Sequence, residues 1–415
     1  MSKPATMITT LCSLMLAIAV QAEESDSWPQ WRGPNRDATV SSEQWSSSLD
    51  NSSLKRVWRA ELGPSYSGPL VVNNRVYTTE TRDKKYEVVT AFDRETGDKI
   101  WEKSWPGSMK VPFFAARNGS WIRSTPVYSE GKLFIGGIKD HFVCLDASNG
   151  SLIWDLDFVA KFGTAVPNFG CASSPLVDGD GLYVQAGGAF FKINKNNGEV
   201  VWKTADDGGG MNGSAFSSPY IAVLAGKRQV LVQSRTNLMG IDLDNGKILW
   251  SQQIPAFRGM NILTPMVHKN LVFTSAYRNS SHLFEVAQKD GKFTVTQRWT
   301  NKRPAYMSSP IVIDGFIYMH LQNGRFACVD INTGKEQWIS QPKGEYASLI
   351  AGNKRFLALR SDGQIMMIKA NPEKFEVISS NQLTDQETWA HLAACGTDVV
   401  IRELNALALY QWQTP

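Results

Sequence analysis

Polar and aromatic side chains recur just ahead of a repeated Ser/Thr-Pro dipeptide. They are Trp121 and Arg123, Asn212, Arg258 and Asn261, Arg303 and Tyr306, Glu345 and Tyr346, and Trp389 and His391. A guanidinium presents its N–H donors in a planar fork and stacks on aromatic rings, so arginine beside aromatics suits an anionic, sugar-like or protein ligand. These positions change in type from one repeat to the next, which makes them the candidate ligand-binding set. Against this stands the reading that they only pack and solvate the mouth of a channel.

Other groupings carry less chemistry. Asp93, Asp146, Asp242 and Asp330 each open an Asp-x-x-x-Gly turn. There a carboxylate accepts local backbone N–H groups and glycine supplies a positive φ, so these acids read as turn residues and not as catalytic ones. His141, His268, His282, His320 and His391 lack the close spacing of metal ligands, and no Cys-x-x-Cys occurs. Gly208-Gly209-Gly210 is followed by no helix pattern and reads as a loop, not a phosphate cradle. There is no Gly-x-Ser-x-Gly elbow. No catalytic residue and no metal site is expected.

The elements that must position the variable residues are repeats. The Asp/Asn turn followed by a strand with Trp occurs at Asp93–Trp101, Asp146–Trp154, Asn194–Trp202, Asp242–Trp250 and Asp330–Trp338, with a degenerate copy from Glu285 to Trp299. Each predicts a β-hairpin. Ahead of it stands a Ser/Thr-Pro start and an apolar strand, as in Ser124-Thr125-Pro126 and Ser308-Ser309-Pro310. Weaker starts lie near Ser348 and Leu392. Each unit therefore has four strands. Trp58, Trp101, Trp154, Trp202, Trp250, Trp299 and Trp338 follow one another at intervals of 39–53 residues. Four strands in such a period specify an all-β propeller of antiparallel blades. The starts predict eight blades, with seven as the alternative if the weak C-terminal units merge. The last unit ends on Ala406–Trp412, a third strand, and Val57-Trp58-Arg59 near the N-terminus supplies the fourth. The ring then closes without an exposed edge.

The repeated pattern in Ala91–Trp101 and Cys328–Trp338 resembles the PQQ-like (pyrroloquinoline quinone) repeat of bacterial β-propellers. Trp28-Pro29-Gln30-Trp31-Arg32-Gly33-Pro34 also resembles the opening of secreted members of that group. The resemblance covers Trp28 to Trp412. It implies the propeller fold, but not one activity, because the group includes quinoprotein dehydrogenases, an outer-membrane assembly scaffold and sensor domains. The dehydrogenases hold the quinone in the channel with Ca²⁺, an aspartate base and often a disulfide between adjacent cysteines. This chain has no adjacent cysteine pair, and no Glu, Asn and Asp set matches the calcium ligands residue by residue. No cofactor is expected, with PQQ and calcium only under the alternative reading of a quinoprotein oxidoreductase.

The rest of the chain fits an exported protein. Met7 to Val20 is apolar but short for a membrane span, and Val20-Gln21-Ala22 offers small residues for cleavage after Ala22. Residues 1–22 thus read as a signal peptide, 23–54 as an N-terminal arm and a Ser-rich linker, and 55–415 as the propeller. The net charge of +4 carries no dense basic block, which excludes nucleic acid on electrostatic grounds. Cys144 and Cys328 occupy equivalent places in distant repeats, so they read as buried apolar residues and not as a disulfide. The expectation is a monomeric periplasmic or secreted scaffold, without a transmembrane segment, that binds a protein or glycan partner at the channel mouth or blade edges. The loops 102–122 and 155–171 are the longest on that rim.

Overall fold

The Asp-turn hairpins close as their residues dictate. The Asp330 carboxylate accepts N–H bonds from Asn332 and Thr333 at 2.9 and 2.8 Å, and Gly334 donates back to the Asp330 carbonyl at a φ of +71°. That glycine has a second duty. A Cβ added to Gly334 would lie 2.5 Å from the Trp299 ring, and one added to Gly150 would lie 2.5 Å from Trp101. The indole N–H of Trp299 donates to the Ile331 carbonyl at 2.8 Å, and that of Trp154 to Lys195 at 2.9 Å. These tryptophans therefore seat on the turn of the next blade, and the Asp, Gly and Trp of the repeat form one inter-blade joint.

The computed structural model describes residues 26–113, 119–207 and 216–413. The expected signal peptide, Asn212 and the Gly208–Gly210 run lie outside these. Eight four-stranded antiparallel sheets form the ring. Blades 1 to 7 span residues 70–106, 127–157, 176–204, 220–253, 266–301, 311–339 and 347–382. Blade 8 joins 393–412 to the strand Leu54–Glu61, which pairs antiparallel with Ala406–Trp412. The eight-bladed reading and the closing N-terminal strand both hold. In blade 5 the degenerate repeat closes further out, at Asp290-Gly291, where both residues have positive φ as a two-residue hairpin turn requires. With no Asp-x-x-x-Gly turn opposite it, Trp250 bonds Gln229 of its own blade at 2.6 Å.

The arm is more than a cover. Trp28 bridges Val71 of blade 1, and the Pro29 carbonyl accepts from Tyr128 of blade 2. Arg36 reaches blade 3, Arg32 reaches blade 6, and Ala38 and Val40 exchange bonds with Ala351 of blade 7. The Ser-rich run expected to be a linker is packed as well. Ser42, Trp45 and Leu49 are buried, Trp45 stacks on Trp412, and Arg355 donates to the carbonyls of Ser42 and Trp45. Its serine content concealed these anchors. Cys144, Cys171, Cys328 and Cys395 are buried and unpaired. Among the described residues no helix is long and apolar enough to cross a membrane.

Candidate functional site

The Ser/Thr-Pro starts line the channel and tie the blades to one another. Backbone N–H groups donate in series from Gly68 to the Thr125 hydroxyl (2.9 Å), Thr125 to Ser174 (3.0 Å), Ser174 to Ser218 (2.9 Å), Ser218 to Thr264 (3.0 Å) and Thr264 to Ser309 (3.4 Å). The hydroxyl type at this position is thus a structural demand of the ring. The side chain two residues upstream of each hydroxyl is carried to the same mouth of the channel, which is how Arg123, Phe216 and Met307 come together.

These residues enclose a cup of about 290 Å³. Trp31 of the arm contributes to its lining, with the Arg32 and Arg36 guanidiniums 5.6 and 5.7 Å from its ring centroid. Trp389 stacks on Tyr346 at 5.5 Å and 20° and meets Tyr66 at 6.2 Å. The Trp389 indole donates to the Glu387 carboxylate at 2.9 Å. Arg123 lies over the Tyr66 ring and donates to the Gly119 carbonyl at 2.7 Å. Burial lowers the pKa of its guanidinium.

Of the residues singled out in the sequence, Arg123, Tyr306, Glu345, Tyr346, Trp389 and His391 line this cup. Trp121 is not part of the lining, although its side chain is near enough to Tyr66 to influence the phenol. Asn261 is buried and clips the Ser234, Arg235 and Ile254 carbonyls together. Arg258 is exposed against Phe257, and Arg303 pairs with Glu336 at 2.6 Å on the surface. Neither arginine reaches the cup. The sequence reading passed over Trp31, Tyr66, Phe216 and Glu387, although Tyr66 and Phe216 share the two-residue offset of Arg123 and so had a periodic signal.

His391 is buried between Trp28 and Trp31. Burial, with Arg32 nearby, pushes its pKa down from 6.5 to about 3, and burial pushes His320 down to about 4. Below pH 6.5 these two histidines therefore bind more protons in the unfolded chain than in the native one. The stability these groups confer is present above that pH and is lost as pH falls towards the folded values. Asp140 and Asp207, raised by burial to about 6, act in the opposite sense, losing stability as pH rises towards 6. His391→Phe should therefore flatten the acid side of the stability profile by up to about 1.4 kcal/mol per pH unit relative to the parent. Urea unfolding at a series of pH values between 7 and 4 checks this. Parallel profiles for the two proteins would contradict it.

A quinone with calcium is the cofactor known on this fold. The cup does not fit it. Among the described residues its polar groups are hydroxyls, the Arg123 guanidinium, the His391 imidazole and the carboxylates of Glu345 and Glu387, interspersed with aromatic rings that include Trp31. Among the described residues no three His, Cys, Asp or Glu side chains converge to hold a metal ion.

A model of the family described as "Outer membrane protein assembly factor BamB" matches residues 84–340, more than half of the chain. The chain belongs to this family of PQQ-like, BamB-related propellers. BamB of Moranella endobia is 22% identical over 312 residues, covering 68% of this chain and 71% of that protein. Tetrathionate hydrolase of Acidithiobacillus ferrooxidans is 23% identical over 325 residues, covering 68% of this chain and 60% of that protein. The crystal structure of BamB from Moraxella catarrhalis matches with a TM-score of 0.62 at 14% identity, covering 87% of this chain and 98% of that one. Quinohemoprotein alcohol dehydrogenase from Comamonas testosteroni matches with a TM-score of 0.55 at 13% identity, covering 96% and 83%. These structural likenesses establish a shared fold. BamB-like and quinone-dependent members use it alike, so the ring itself selects neither role.

Proposed function

We propose that the protein is an exported, non-catalytic propeller that serves as a binding or scaffold module, holding a protein or glycan partner at the channel mouth. The observation that carries this reading is the cup itself. The arm crosses the channel from blade 1 to blade 7 and puts Trp31 into its lining, beneath walls rich in aromatic and polar side chains. A small, largely preformed concavity with a few convergent polar groups is the usual form of a binding site. The relatives named as outer membrane assembly factors support a scaffold role, and the apolar segment Met7–Val20 supports export to the periplasm or beyond.

The test is affinity capture from the native envelope, with Trp389→Ala/Tyr306→Ala as the comparison. The wild type should recover a partner that the double variant recovers at least about tenfold less well, a loss of roughly 1.4 kcal/mol. Equal recovery would remove the cup from the mechanism. The same preparation incubated with PQQ and Ca²⁺ should show no stoichiometric quinone absorbance and no alcohol-dependent dye reduction. Either signal would replace the binding reading with the oxidoreductase one.

A further inference from the structure

We infer that the ligand of the cup is the neutral end of a saccharide chain, a step that rests on the binding reading above. The inference comes from the balance of groups facing the cavity. Thr125, Ser174, Ser218, Thr264 and Ser309 line it, and each hydroxyl oxygen accepts one backbone N–H from the blade before. A hydroxyl oriented in that way still has its own proton and a second lone pair, so it can donate to and accept from a ligand without turning. A ring of such groups, fixed by the backbone at regular spacing, is complementary to a ligand that is itself rich in hydroxyls.

Charge argues in the same direction. Glu345 and Glu387 are exposed lining residues, and among the described residues Arg123 is the guanidinium of the lining. Arg32 and Arg36 lie against Trp31, and their terminal NH₂ groups donate to carbonyls and to the Gln30 amide oxygen, while the Nε–H of each is buried without a partner among the described residues. A carboxylate or phosphate ligand would meet two glutamates. A lysine or arginine side chain would meet Arg123 and the arm cations. A neutral polyol avoids both penalties, because carboxylates accept from sugar hydroxyls and a guanidinium donates to sugar oxygens.

The aromatic rings supply the remaining requirement. A pyranose presents a flat face of C–H groups with slight positive charge, and the face of an aromatic ring is its negative counterpart. The stacked pair Trp389 and Tyr346 forms one such wall. Tyr306 and Phe216 stand among the other lining groups. A cavity of about 290 Å³ is at the small end of ligand sites, the scale of about one or two sugar rings and not of a folded partner.

The experiment is titration of the full mature chain, followed by tryptophan fluorescence and calorimetry. The probes are neutral oligosaccharides of two to six glucose, xylose, mannose, galactose or N-acetylglucosamine units. Galacturonate oligomers and lysine-rich peptides form the contrast arms. At least one neutral oligosaccharide should saturate with a Kd below about 1 mM. Glu387→Gln and Trp389→Ala should each weaken it at least about tenfold, and Arg303→Ala, away from the cup, should leave it unchanged. Circular dichroism establishes that the variants fold, and Glu387→Gln carries the test if Trp389→Ala does not. No saturation by any neutral sugar at about 10 mM would overturn the inference. So would binding of the acidic oligomers or the peptides alone, or sugar binding indifferent to both variants. In each of those cases, envelope capture that still depends on the cup would leave the broader binding reading standing. Capture that does not depend on it would remove both.

Discussion

Replacing Arg36 by alanine should remove about 3–5 kcal/mol of stability, among the largest effects of any single substitution outside the blades. The Arg36 side chain crosses into the channel and donates to the carbonyls of Pro175 at 2.8 Å and Ser174 at 3.1 Å, and to the Gln30 amide oxygen at 3.1 Å. Arg32 does the same towards blade 6, at 2.6 Å to the Pro310 carbonyl. Both side chains are buried, and their NH₂ groups donate to backbone carbonyls and to the Gln30 amide oxygen. Burial pulls the Arg36 pKa down to about 9, with Arg32 adding to the effect, so the group stays cationic at neutral pH. Truncation leaves the Ser174 and Pro175 carbonyls, just ahead of the inner strand Leu176–Asp178, without this donor, at about 1–3 kcal/mol for a buried group that finds no other, and opens a void beside Trp31. Arg36→Met restores the volume and not the bonds, so it should still lose about 2 kcal/mol. Arg36→Lys, which keeps charge but not the planar fork, should fall between the two. Urea unfolding monitored by tryptophan emission measures all three. A loss under about 1 kcal/mol for the alanine variant would mean that the arm decorates the ring without bracing it.

The repeat was legible because its parts are local. Asp, Gly and Trp of one hairpin lie within nine residues, as in Asp93–Trp101, and the joint they form recurs from blade to blade. The arm was legible only as something ordered, since the partners of Arg32 and Arg36 are backbone carbonyls 278 and 139 positions away and leave no mark on side-chain type. The channel mouth was legible in outline. Counting upstream from each Ser/Thr reaches the cup at two residues, as at Arg123 and Phe216. At six residues, as at Arg258 and Arg303, the chain is already on the outer surface. The choice of those two arginines followed residue type, where backbone offset was the better guide. Trp31 could not be placed by either, because it enters the cup from the arm and not from a repeat.

Arg59→Ala should be the most damaging change at the seam where the ring closes. Arg59 lies on the strand Leu54–Glu61, and its guanidinium grips the Glu403 carboxylate through two bonds, 2.9 and 2.8 Å long. Glu403 is fully buried at the end of the strand Asp398–Glu403, which lies one strand further in, beyond Ala406–Trp412. Its other side-chain partner is the Thr384 hydroxyl at 2.9 Å. Removing the arginine leaves a core anion with that hydroxyl as its side-chain hydrogen bond and the buried Arg402 as its nearby cation, and breaking a buried ion pair from one side typically costs about 3–5 kcal/mol. Glu403→Gln in the same chain removes the stranded charge and should recover a good part of the loss. The failure should also be local before it is global, because the closing strand is held to the rest of blade 8 by a single ladder, from Leu54↔Trp412 to Glu61↔Ala406. Amide hydrogen exchange in Arg59→Ala should show residues 54–61 and 406–412 losing protection at denaturant concentrations that leave blades 2 to 5 protected. Uniform loss around the ring would instead mean that the propeller opens as one cooperative unit and that the seam is no weaker than any other joint.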